Sequence, residues 1–280
     1  MRTVLCWQTY YLASHHIESW IECEAAGVEC IILLNNEHGV YDKIANSLYL
    51  PKGMRDSLVP IDPTTYGSLR LPLLPYYNKK LSSVNYYNSD YGFYVASSRY
   101  SESLRDIYFV KVDHDVLLFG KTWPEFLRLL SLDSGKALTL QCNTSVNPNW
   151  HWHPSSASVY GEKYSFGLFG LQGLPGLLCE ELKERRIELF KSSEHYNDNY
   201  SCEDLAISPY LNWPICETFF HSELPRLNMS VMELFREYPY LTQAFKLDVQ
   251  GGLSQVNIGN LVKDSQHPFW LFHPWKPIQS

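Results

Sequence analysis

The chain has 280 residues and a formal charge of −7, with hydrophobic residues at 45% and charged residues at 19%. That composition supplies a buried core and excludes an intrinsically disordered chain. The acidic balance and the lack of a long basic run argue against nucleic acid as the main partner, since phosphate neutralisation needs clustered Lys and Arg.

The densest basic stretch, Lys183 to Arg186 (KERR), reads as the solvated face of an amphipathic helix. Seven scattered cysteines without a C-x-x-C pair fit reduced thiols, not a disulfide scaffold or a structural zinc site. No signal-like apolar stretch opens the chain, and no window reaches the ~18 apolar residues of a membrane span. A cytoplasmic location is therefore expected, at most at the inner face of the membrane, with peripheral membrane contact left open. The 20 Tyr and 8 Trp suit stacking on sugars or nucleobases as well as core packing.

In chain order, Thr3 to Tyr10 predicts an opening strand. Ser14 is placed as the N-cap of a helix that ends at Gly27. The nearly continuous apolar run Glu29 to Asn35 predicts a strand buried on both faces, so the chain opens β-α-β. Prolines and tyrosines between Leu48 and Tyr100 predict irregular segments with short helices. Ile107 to Val112 is the next clear strand, ending in Asp113-His114-Asp115. Thr122 then caps a helix through about Leu132, and Ala137 to Gln141 predicts another strand.

Asn147 to Pro154 (NPNWHWHP) reads as a turn whose aromatics either pack or offer an acceptor platform. The glycine-dense Gly167 to Gly176 lacks the spacing of a phosphate loop and reads as a flexible loop or a hydrophobic turn. Helices are predicted at Leu174 to Phe190, at Cys202 to Leu211, and at Val231 to Lys246, where Pro239 kinks or breaks the last. Phe269 to Pro277 reads as a short strand or extended tail. No repeat or linker divides the chain, so one domain over 1–280 is expected.

The chemistry concentrates where the strand Ile107 to Val112 ends. Ligands of open α/β sheets collect beyond the carboxyl ends of the strands. Asp113 and Asp115, at i and i+2 across a turn, can aim two hard oxygen donors at one point. Such a pair suits magnesium or manganese, whose open positions suit a diphosphate. The alternative is a solvated turn pair. Trp7, Gln8 and Thr9, at the end of the first strand, are expected to line a nucleotide pocket at the switch point of the sheet.

The stretch Tyr108 to Leu130, with FVKVDHDVLLFGKTWPEFLRLL at its core, resembles the strand-DXD-strand-helix unit of GT-A glycosyltransferases. The resemblance is to bacterial and fungal GT-A-like families of surface-glycan type. It implies an α/β fold with a GT-A-like open, Rossmann-like mixed sheet flanked by helices. Residues 1–135 would form the nucleotide-sugar-binding half, and 136–280 the acceptor-binding half. It implies that Asp115, helped by Asp113, binds the metal or the nucleotide sugar.

Ser201-Cys202-Glu203-Asp204 reads as a helix capping box. By the same resemblance Asp204, with Glu203 next to it, is the general base toward an acceptor hydroxyl. His273 in LFHPWK resembles the C-terminal His that GT-A enzymes fold back onto the metal, which favours manganese over magnesium. The implied function is a metal-dependent glycosyltransferase of hexosyltransferase class, inverting. It would use a nucleotide-sugar donor, a UDP-sugar first, and a glycan acceptor. A non-catalytic carbohydrate-binding protein and a metal-dependent phosphoesterase or nucleotidyltransferase are the alternatives.

Overall fold

The computed structural model describes residues 1–47, 49–73, 84–85, 88–100, 104–144, 148–150, 152–192, 213–244 and 266–273. Its centre is a seven-stranded mixed sheet flanked by helices. The strands are β1 (Arg2–Thr9), β2 (Glu29–Asn35), β3 (Leu58–Ile61), β4 (Ile107–Asp113), β6 (Lys136–Thr139), β9 (Leu171–Pro175) and β10 (Ser230–Glu233), in the order β10-β6-β9-β4-β1-β2-β3. Only β9 runs against its neighbours, β4 and β6. Two small pairs lie outside the sheet: β5 (Leu117–Phe119) with β11 (Trp270–Phe272), and β7 (Cys142–Asn143) with β8 (Phe166–Gly167).

The chain builds outward from β1 to β2 and β3, then returns to place β4 on the other side of β1. This reversal is the topological switch point, where a crevice opens beyond the carboxyl ends of two neighbouring strands. Gln8 and Asp113 face each other there, as register partners in the parallel β1–β4 ladder.

Alternation along the buried strands divides the core into two layers. One side takes Cys6, Leu33 and Phe109 against α2 (Tyr91–Ser97), α4 (His153–Tyr160), α5 (Gly176–Lys191) and α6 (Cys216–Arg226). The other takes Leu5, Trp7, Val110 and Val112 against α1 (Ser14–Ala25) and α3 (Trp123–Leu129). Thr122 does cap α3, its hydroxyl accepting from the Glu125 N–H while the Glu125 carboxylate accepts from Thr122 N.

Several expectations need correction. Ala13, not Ser14, is the N-cap residue of α1, and its N–H is accepted by Nδ1 of His16. The glycine-dense segment is not a flexible loop. It holds β8 and β9, and β9 is fully buried between β4 and β6. Its glycines are required by close approach: a Cβ on Gly167 would lie 2.1 Å from the Gln141 carbonyl oxygen, and one on Gly173 would lie 2.6 Å from the Tyr108 ring.

The helix expected from Val231 is strand β10, followed by the short α7 (Leu234–Glu237) and a 3₁₀ turn over Pro239–Gln243. Pairing with β6 outweighs the helical spacing of its apolar residues. Helix α6 went unforeseen, and the helix expected at Cys202 to Leu211 lies outside the described residues. Arg186 of the basic cluster is fully buried, not solvated. Among the described residues, no helix is long and apolar enough to cross a membrane.

Candidate active site

A cavity of about 110 Å³ opens at the switch point. Its walls come from β1 (Gln8), the following turn (Tyr10), the β4 end (Asp113, His114), the start of α2 (Ser89) and the start of α6 (Ile215, Cys216, Glu217), with Asn85 and Phe169 completing them. Room for one water needs roughly 10–15 Å³, so the cavity admits a small polar ligand.

Asp113 is fixed from below by a buried cation. Lys111, two residues earlier on the same face of β4, has no exposed side-chain surface, and its Nζ reaches Asp113 Oδ1 at 2.5 Å. Lys111 Nζ also sits 5.2 Å from the centre of the Phe169 ring. The Ser89 hydroxyl lies 3.4 Å from the same Asp113 oxygen. One carboxylate oxygen is thereby committed to the protein.

Glu217 approaches from the opposite element, in the first turn of α6. A helix N-terminus ordinarily favours an ionised carboxylate. Here burial, and after it the negative charge of Asp113, prevail and push the Glu217 carboxyl up to about 7. The next turn of α6 carries His221, whose Nδ1 is 2.6 Å from the Glu217 carbonyl oxygen and whose Nε2 is 2.8 Å from the Thr139 hydroxyl. Burial pushes this imidazole down to about 4, so at neutral pH it is an uncharged link between α6 and β6.

Asp115 faces the tail. The antiparallel β5–β11 pair, with Leu117 opposite Phe272, carries the chain back so that His273 Nε2 lies 3.5 Å from Asp115 Oδ1. Between the two acids, His114 presents its ring edge-on to Tyr10 and Tyr11, at centroid distances of 5.3 and 5.7 Å. Burial, with further contributions from Asp113, Glu37 and Asp115, raises the Tyr10 hydroxyl well above its ordinary range. Tyr10 therefore stands in the field of both motif carboxylates.

The site rests on a buried scaffold. Asp90, at the head of α2, receives two hydrogen bonds from Arg186 of α5 and one from the Tyr94 hydroxyl. Arg186 also donates to the Pro214 carbonyl at 2.8 Å and lies 3.8 Å over the Phe219 ring. Ser89 and Glu217 are thus carried on segments joined through one guanidinium.

Of the residues expected at the nucleotide pocket, Gln8 lines the cavity. Trp7 points to the other face of the sheet, where its ring packs on His16 and Trp123. Thr9 is buried, and its hydroxyl donates to the Tyr11 carbonyl at 2.5 Å. Glu203 and Asp204 lie outside the described residues. Trp150 stacks on Phe166 at 4.6 Å, packing where an acceptor platform was weighed.

For a divalent cation, Asp115 and His273 supply a carboxylate and an imidazole already side by side, with Asp113 two residues away. Among the described residues no group of three His, Cys, Asp or Glu side chains forms a ready-made cage. Two protein donors fit an ion that keeps waters or takes substrate phosphates as its remaining ligands. Chemically the donor set suits manganese or magnesium.

Sequence reasoning missed Lys111, Ser89 and Glu217. Lys111 carried a signal: it is the one charged residue inside the apolar run IYFVKV, and a buried Lys implies a partner.

No protein-family model matches the chain, and a search of curated proteins gives no match either. Among solved structures the chain is similar to an active-site mutant of LgtC, at 12% identity and a TM-score of 0.40, over 99% of this chain and 88% of that one. It is also similar to the galactosyltransferase LgtC in complex with donor and acceptor sugar analogs, at 15% identity and a TM-score of 0.35, over 71% and 68% of the two chains.

Proposed function

We propose that the chain is a metal-dependent glycosyltransferase of GT-A type, transferring a sugar from a nucleotide-sugar donor, a UDP-sugar first, to a glycan acceptor. The observation that carries this reading is the meeting of Asp115 with His273, two residues along the chain from Asp113, which lines the switch-point cavity. A carboxylate pair alone would suit a solvated turn. An imidazole brought back by a dedicated strand pair, onto the second acid of that pair, suits a shared ligand.

In this reading Asp115 and His273 would hold manganese or magnesium, and Asp113 would join them through the carboxylate oxygen that Lys111 leaves free. When bound, the ion supplies Lewis-acid stabilisation of the departing diphosphate charge. Lys111 keeps Asp113 in one orientation, and Tyr10 and His114 offer ring surfaces beside the donor. Asp204, with Glu203 beside it, takes the proton of the acceptor hydroxyl as its oxygen attacks the sugar carbon and the nucleoside diphosphate leaves. Such a displacement inverts the anomeric centre.

The test is release of nucleoside diphosphate from UDP-sugars with manganese. Asp115→Ala should lose at least about a hundredfold in kcat/KM, equivalent to ~2.7 kcal/mol of transition-state stabilisation. Asp204→Asn should lose kcat with donor KM little changed, because a base acts mainly in the transition state. Wild-type turnover in Asp115→Ala would exclude the metal assignment.

A further inference from the structure

We propose that His15, at the head of α1, is a positioning residue for the turn after β4: its Nε2–H holds the His114 carbonyl and so fixes the backbone that carries Asp113 and Asp115. The ion that this serves rests on the transferase reading. The grip on the turn rests on geometry.

Asp113 to Val116 form a β-turn, closed by the Val116 N–H donating to the Asp113 carbonyl at 3.2 Å. That bond uses the carbonyl of the first turn residue. The carbonyl of the second, His114, must find its donor elsewhere. His15 supplies it from another element, with Nε2 3.4 Å from the His114 carbonyl oxygen across 99 positions of chain. A carbonyl can only accept, so this contact places the His15 proton on Nε2. Asp113 N–H is tied separately, to the Gly170 carbonyl at 2.9 Å. Of these three anchors, the His15 contact is the one made by a side chain.

His15 is packed for this role. It is 9% exposed, and its ring lies against those of His16 and Trp7, at centroid distances of 3.9 and 6.0 Å. His16 is fully buried and accepts the Ala13 N–H on Nδ1, so its own proton sits on Nε2. That atom makes no full hydrogen bond among the described residues, and the His114 carbonyl bears on this ring too. Burial keeps both imidazoles below the ordinary histidine range, so neither carries a charge that would repel a cation at neutral pH. His114 is therefore held by its carbonyl from α1, while Tyr10 and Tyr11 meet its ring.

The test reads the turn and the ion separately. Manganese binding in the presence of UDP is followed by electron paramagnetic resonance in wild type, Asp115→Ala, His15→Phe, His15→Leu and His15→Gln. Phe keeps the ring contacts and removes the N–H, whereas Gln keeps an N–H of similar reach. Hydrogen exchange of the Val116 amide, without metal, reports the turn, and thermal unfolding checks that each variant is folded. The expected result is a manganese Kd weaker by about tenfold in His15→Phe and His15→Leu, with Val116 exchange faster by about the same factor. His15→Gln should recover both, which a loss of packing alone would not allow.

Folded His15→Phe and His15→Leu with a wild-type manganese Kd, or with unchanged Val116 exchange, overturn the positioning role; manganese binding that still requires Asp115 then leaves the transferase reading intact. Faster exchange that His15→Gln restores, with no manganese bound to wild type, upholds the grip on the turn and removes the metal reading.

Discussion

The Arg186 guanidinium grips the Asp90 carboxylate through two hydrogen bonds, Nε to Oδ2 at 2.9 Å and Nη2 to Oδ1 at 2.8 Å, although 96 residues separate them. Both side chains are buried, at 0% and 1% exposure. Removing one partner leaves the other charge uncompensated in the core. Arg186→Leu should therefore destabilise the fold by about 3–5 kcal/mol in urea unfolding, and Asp90→Leu added to it should recover part of that loss. Arg186→Lys should recover little, because an ammonium cannot match the bidentate geometry.

Lys111 and Asp113 make a second coupled pair, with Lys111 the deeper member. Asp113→Asn strands a buried ammonium and should cost about 3 kcal/mol, the low end for such pairs because Asp113 reaches the cavity. Lys111→Met in the same chain should restore much of the stability. It should not restore metal-dependent activity. A double-mutant cycle read by both unfolding and turnover separates the two roles of Asp113.

Glu217 makes stability depend on pH. Its carboxyl is raised in the folded state to about 7 from an ordinary value of 4.5, so between those values the native chain binds more protons than the unfolded one. The stability this contributes is fully present below pH ~4.5 and is lost as pH rises through ~7. Glu217→Gln cannot ionise. Relative to wild type it should gain on the order of 1–3 kcal/mol at pH 8 and change little at pH 5, as measured by urea unfolding at the two pH values. An equal effect at both would contradict the half-buried placement of Glu217 in the field of Asp113.

Gly167 tests the close packing of the reinterpreted glycine segment. An added Cβ meets the Gln141 carbonyl oxygen at 2.1 Å and the His221 ring at 2.4 Å, and the first contact is backbone. Gly167→Ala should cost about 3 kcal/mol or more, since overpacking against a fixed carbonyl cannot be relieved by a rotamer change. A drop in melting temperature is the readout.

Much of the site's frame was legible in the sequence because strands buried on both faces announce themselves. Glu29 to Asn35 and Ile107 to Val112 read as nearly continuous apolar runs and became β2 and the bulk of β4. The order β-α-β placed the switch point, and Asp113 at the end of β4 fell in its cavity wall. Segments whose conformation depends on distant partners were not legible. Val231 to Glu233 has helix-compatible spacing, yet it joins the sheet because β6 offers an edge. The glycine-dense stretch lacks strand propensity and is strand only because neighbouring side chains need the room its missing Cβ atoms leave.

Charge was misread for a related reason. Arg186 stands among Lys183, Glu184 and Arg185, a context that spells a solvated face. Only the fold brings Asp90 to it. Glu217 likewise carried no local motif, since its role comes from the cavity that α6 closes against β4.

The most direct measurement is thermal unfolding with UDP, GDP and CMP, each with and without manganese, on wild type and Asp115→Ala. A ligand that binds only the native state at a hundredfold excess over its Kd adds about 2.7 kcal/mol of apparent stability. A glycosyltransferase with its metal at Asp113, Asp115 and His273 shows a nucleotide shift that requires manganese and disappears in Asp115→Ala. No shift with any nucleotide, or one that is indifferent to both manganese and Asp115, would contradict that assignment.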